Sequence, residues 1–125
     1  MHIANDLISC GIKAQALTGD IATLTATAND FCYEDAFARP LRTLGSADDL
    51  LVALSGSGRS PNILRAIAAA KEIGMKSFAI VGEFNQDCPA ANVADDCLRW
   101  GKDMQDAEEK QLYIGHKAMR WLKNS

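Results

Sequence analysis

Short apolar runs that alternate with helical stretches, and a glycine-serine loop joining one such run directly to a helix, predict an α/β fold. The arrangement is three αβα layers around a parallel sheet of about four strands. A length of 125 residues with 48% hydrophobic content suits a single domain, 1–125, that buries its own core.

The net charge of −3 is spread over both signs, and no basic tract suggests direct contact with nucleic acid. No apolar run approaches the length of a membrane span. The first residues lack the charged and apolar regions of a signal peptide, so a cytoplasmic location is expected. Cys10, Cys32, Cys88 and Cys97 show no CxxC spacing, and reduced, mostly buried thiols are the expectation.

Met1 to Ser9 reads as a helix with Ile3 and Leu7 on one side. His2 and Asp6, also four apart, share another, and the pair is either a solvated helix end or an imidazole-carboxylate couple. Ile12 to Leu17 alternates as an edge or half-exposed strand, and Thr18 to Asp20 turns the chain. Ile21 to Ala28 reads as a helix, Asn29-Asp30 as a break, and Tyr33 to Leu44 as a second helix ending at Gly45 in the usual C-cap position.

Leu50 to Leu54 reads as a buried strand that passes into SGSGRS and then into an alanine-rich helix. Gly56 and Gly58 allow close approach of a ligand, and Ser55, Ser57 and Ser60 add hydroxyls. Ser60 followed by Pro61 marks an N-cap and a first helical residue, so the next amides would point into the loop, where an anion is favoured. Neither GxxxxGK[ST] nor GxGxxG is present, which gives nucleotide binding little support. Arg59 and Arg65 are the nearby cations, and either could face an anion. The plain alternative is a serine-rich turn above a sheet.

Lys76 to Val81 reads as another buried strand, Glu83 to Pro89 as a polar loop, Ala90 to Ala94 as a short helix and Asp96 to Trp100 as a last strand. Asp103 to Lys123 is the final helix. Within it His116 lies among Ile114, Gly115, Ala118 and Met119, where a histidine is either packed or catalytic.

SGSGRSPNILRAIAAAKEIGMKSFAIVG, with TLTATANDFCYEDAFARPLRTLG before it and AEEKQLYIGHKAM after it, resembles the sugar isomerase (SIS) domain of the phosphoheptose isomerase branch. The resemblance implies a flavodoxin/Rossmann-like sheet of strand order 2-1-3-4-5. It also implies a sugar phosphate held by the serine loop, through Ser55, Gly56, Ser57 and Ser60, with Asn29 and Asp30 reaching the substrate. His116 falls on the acid/base histidine of that family's IQExHxxxGH helix. His2 and Asp6 fall on the histidine and glutamate of HFAxE, with Asp6 one methylene shorter. Glu108 stands on the family's glutamine and Gln111 on its earlier histidine. His2, Asp6, Glu108 and His116 then form a set that zinc accepts, although Glu108 and His116 lie roughly 12 Å apart along a regular helix.

Members normally carry a further N-terminal helix, first strand and CGNGGS-type loop. A chain beginning after that loop is expected to close up its flanking strands, to borrow a strand, or to be part of something longer. The activity implied is aldose-ketose isomerisation of sedoheptulose 7-phosphate through an enediol, with His116 and Asp6 as acid and base, in a dimer or tetramer. The rival is a non-catalytic SIS module that binds a sugar phosphate or a protein, like the relatives that bind a replication initiator.

Overall fold

The computed structural model describes residues 1–125. In chain order it holds α1 (His2–Ser9), α2 (Ile21–Asp30), a 3-10 turn (Tyr33–Asp35), α3 (Ala38–Leu44), β1 (Leu50–Ser55), α4 (Pro61–Glu72), β2 (Lys76–Val81), α5 (Pro89–Val93), β3 (Asp96–Arg99) and α6 (Met104–Lys123). The three strands form one parallel sheet in the order β1-β2-β3. Leu50 to Ser55 pair with Lys76 to Val81, and Phe78 to Val81 pair with Asp96 to Arg99.

Small side chains bring the layers together. Ala66, Ala69 and Ala70 of α4 pack with Ala38 and Leu41 of α3 and with Met75, while Ile67 meets Ala53 of β1 and Ala79 and Val81 of β2. Because Ala69 and Ala70 are fully buried, α4 lies close to its neighbours with no room for a larger residue. Met75 follows a left-handed Gly74, which lets the chain turn from α4 into β2.

The predicted strand over Ile12 to Leu17 does not form, which leaves three strands. Alternation marks a strand's pattern, but a strand needs a partner ladder, and β1 pairs only with β2. The stretch instead leaves α1 through Gly11 at φ +79, with the Ile12 amide donating back to the Leu7 carbonyl. Tyr33 to Leu44 is likewise divided into a 3-10 turn and α3. Pro40 explains where α3 begins, since it has no N–H and sits in the first turn, where none is needed. Gly45 does cap α3, but in extended backbone at φ −83 rather than in the left-handed region.

Alternate residues of β1 face opposite ways. Ala53 and Ser55 are buried, whereas Leu50, Val52 and Leu54 remain 60%, 40% and 37% exposed beside the strand's unpaired outer edge. The other side layer is α6, which carries α1 on it and ties itself to the sheet where the Gln111 side chain donates to the Ile80 carbonyl at 3.1 Å. Gly115 lets the two helices touch, because a Cβ there would lie 2.6 Å from Ile3 Cγ1.

Ala69→Leu is expected to destabilise the chain by about 1–3 kcal/mol through overpacking, seen as a lower urea midpoint. An unchanged midpoint would refute the tight α3–α4 packing. Gly115→Leu should also destabilise, although a helical glycine is itself unfavourable by about 0.5–1 kcal/mol relative to alanine. Adding Ile3→Ala should recover part of the loss, and strictly additive effects would show that Gly115 and Ile3 are not in contact.

Candidate functional site

Two groups of site residues emerge, one at the carboxyl end of β1 and one where α1 crosses α6. In the first, β1 ends at the buried Ser55 and the loop reaches α4 through Ser60 at the N-cap and Pro61 at the first helical position. The Ser55 hydroxyl accepts the Gly58 amide at 3.0 Å, and the Ser57 hydroxyl accepts the Arg59 amide at 3.2 Å. Each hydroxyl oxygen thus stabilises the turn while its own hydrogen stays free to donate. The Ser60 side chain makes no capping bond. The amides of Ser57, Ser60 and Asn62 donate to nothing in the protein and, with the dipole of α4, form a cradle that favours an anion.

Neither nearby arginine is an uncommitted cation. Arg59 donates to the Asp87 carbonyl at 3.0 Å and pairs with its carboxylate at 3.1 Å. Arg65 bonds Asp35 at 2.9 Å and Cys32 Sγ at 3.3 Å, and this guanidinium, aided by the Cys32 thiol, holds the Asp35 carboxyl below the usual range. Asn29 and Asp30 are the last two residues of α2 rather than a break. Both are exposed, the Asn29 side chain donates to Asp30 at 2.9 Å, and Asp30 lines a groove with Thr27, Arg39 and Thr43.

The second group joins residues from both ends of the chain. His2 Nε2 lies 3.0 Å from His116 Nε2, with the rings edge to face. Asp6 Oδ2 sits 3.4 Å from the first nitrogen and 3.6 Å from the second. That oxygen is buried and has no hydrogen-bond partner, which is costly for a carboxylate unless something else satisfies it. The four-residue spacing places His2 above Asp6 on α1, and the close α1–α6 contact at Gly115 delivers the neighbouring His116 to them.

Glu108 does not join this trio. It is exposed eight residues earlier on α6, a regular helix throughout, so its carboxylate lies roughly two turns away within the chain. Three ligand atoms, from His2, Asp6 and His116, lie within 4.8 Å of one another. Zinc bonds of 2.0–2.2 Å in a tetrahedral site separate neighbouring ligand atoms by about 3.3 Å, so spacings of 3.0, 3.4 and 3.6 Å fit such an ion.

Sequence reasoning left the polar loop after β2 without a role. In the structure its Asn85 side chain donates to the Ser57 carbonyl at 3.2 Å, and Arg99 donates to the Asn85 carbonyl. Met104, the first residue of α6, lies against Gly56, so that a Cβ on this glycine would fall 2.3 Å from its sulfur. Nothing in residue spacing signals these contacts, which depend on where separate segments meet.

A family model described as the SIS domain matches residues 4–82. The phosphoheptose isomerase of Alkalilimnicola ehrlichii is 49% identical over 73 residues, which are 58% of this chain and 37% of that protein. The phosphoheptose isomerase of Helicobacter pylori strain P12 is 44% identical over 72 residues, 58% of this chain and 38% of that one. The chain therefore spans well under half of these relatives' length. Among solved structures, phosphoheptose isomerase GmhA from Neisseria gonorrhoeae superposes at a TM-score of 0.91 and 29% identity, over 99% of this chain and 68% of that one. A phosphoheptose isomerase from Francisella tularensis superposes at 0.91 and 31% identity over the same shares. With the family model covering more than half of its residues and the same α/β layers matched nearly end to end, the chain belongs to the SIS domain family.

Proposed function

We propose that the chain carries the isomerase site of a phosphoheptose isomerase-type enzyme, converting the ketose sedoheptulose 7-phosphate to a heptose 7-phosphate. The observation that carries this reading is the convergence of His2 and His116 on the buried, unpartnered Asp6 oxygen. The phosphoheptose isomerases matched in sequence and structure support it.

The serine loop would hold the substrate's phosphate through the amides of Ser57, Ser60 and Asn62 and the hydroxyls of Ser55, Ser57 and Ser60. Binding energy from that remote end fixes the reacting carbons. Asn29 and Asp30 would contact the sugar hydroxyls. His116 and Asp6 share the proton work: one takes the proton from the carbon beside the carbonyl, an enediol forms, and the proton returns to the adjacent carbon while the hydroxyl proton changes oxygen. With zinc bound, the same three side chains, His2, Asp6 and His116, would be its ligands instead of the proton carriers. Such an ion would polarise the substrate carbonyl. Glu108 would belong to the site only if a second copy of the chain brings it there.

Self-association as a dimer or tetramer is part of the same reading. The unpaired edge of β1 and the exposed Leu50, Val52 and Leu54 support it. No helix is long and apolar enough to cross a membrane.

His116→Gln is expected to lower conversion of sedoheptulose 7-phosphate by about 10²–10⁴-fold with little change in thermal midpoint. Wild-type turnover in that variant would remove the histidine from catalysis. Asp6→Glu should raise the rate if the shorter carboxylate limits proton transfer. Calorimetric titration with zinc should show binding that His2→Gln abolishes; the metal assignment fails if His2→Gln binds zinc as the wild type does. Because a nitrogen holding a metal cannot also hold a proton, activation by zinc identifies the trio as ligands, and inhibition identifies it as the acid/base set. Ser57→Ala with Ser60→Ala should weaken binding of the sugar phosphate, and unchanged affinity would exclude the loop.

A further inference from the structure

We propose that the loop from Gly82 to Ala90 is a strap that sets the shape of the anion cradle, and that Arg59 is its clasp and hence a positioning residue of the site. The inference rests on reading Ser55–Ser60 as the anion-binding loop.

Successive residues of that loop are each fastened to the strap. The Gly56 carbonyl accepts the Gly82 amide at 3.0 Å, the Ser57 carbonyl accepts the Asn85 side chain at 3.2 Å, and the Gly58 carbonyl accepts the Ala90 amide at 3.0 Å. Arg59 completes the series through Asp87, donating to both its carbonyl and its carboxylate. Strap and loop are also in direct contact: Gly58, at φ +67, approaches so closely that a Cβ would lie 2.2 Å from Cys88 Sγ. Phe84 lies against Gly82, and Arg99 of β3 braces the strap at Asn85.

This pattern has a consequence for the anion. In a trans peptide the N–H points opposite to the C=O of the same unit. Turning the carbonyls of Gly56, Ser57 and Gly58 toward the strap therefore turns the amides of Ser57, Gly58 and Arg59 away from it. Those amides are the groups that meet the serine hydroxyls or stay free. Without the strap the carbonyls could rotate inward and present negative dipoles to a phosphate. Arg59 thus acts on the anion through backbone orientation, with its charge committed to Asp87. The side chains of Arg59 and Asp87 are 53% and 72% exposed, so the pair adds little to global stability and its effect is local.

The test uses the full chain, inorganic phosphate as the probe, and amide hydrogen exchange over residues 83–88 measured without phosphate. Arg59→Gln should weaken phosphate binding about fivefold, the scale of one hydrogen bond, and accelerate exchange in the strap while the thermal midpoint stays put. Asp87→Asn should shift both readouts the same way by a smaller amount. If Asp87→Asn leaves phosphate affinity unchanged or tightens it while Arg59→Gln weakens it, Arg59 is a direct anion contact that Asp87 restrains, and the proposal is overturned. Unchanged strap exchange in Arg59→Gln, with phosphate binding intact in the wild type, overturns the strap alone. A wild type that binds no phosphate overturns the anion site itself, whatever the exchange shows.

Discussion

The parallel pairing of β1 with β2 is the constraint on which the other features depend. Because Leu50 lies opposite Lys76 and Ser55 opposite Val81, both strands end at the same level and release their loops side by side. One loop is the serine cradle and the other is the strap that holds it. A shift of this register would separate the Gly56 carbonyl from the Gly82 amide and the Gly58 carbonyl from the Ala90 amide. Parallel strands require a covering crossover, and α4 supplies it while bringing its own N-terminus and free amides to the cradle.

Residue size governs the remaining contacts. Alanines fill the space between α4, α3 and the sheet, and glycine permits the α1–α6 contact, so both layers sit close enough for short side chains to meet. The trio of His2, Asp6 and His116 depends on that closeness. A larger residue at position 115 would push α1 away and remove two of the three ligand atoms from the third. Two imidazoles on one carboxylate, with a buried oxygen lacking any partner, is an arrangement that costs stability unless a proton or a cation completes it. Such unsatisfied groups collect where chemistry is done.

Arginine placement separates the two roles of charge in this chain. Arg65 and Asp35 link α4 to the 3-10 turn, with Arg42 and Glu72 forming a second exposed pair between α3 and α4. Both belong to the scaffold. The Arg59–Asp87 pair is also exposed but lies between two loops, where a small energy decides orientation rather than folding.

What the sequence determined by itself was local. The positions of β1, β2 and β3, the Ser60-Pro61 start of α4, the extent of α6 and the His2–Asp6 spacing each depend on neighbours a few residues away, and each stands where residue order places it. The tertiary structure decided everything that depends on partners far along the chain. Ile12 to Leu17 has the alternation of a strand but no ladder beside it, and pairing, unlike periodicity, cannot be read from the segment alone. Arg59 looked available for an anion until Asp87, 28 residues on, was found bonded to it. His116 could be told from a packed histidine only when α1 brought His2 to its Nε2 across 114 residues, whereas Glu108, on the same helix, was carried away by the regular rise of α6.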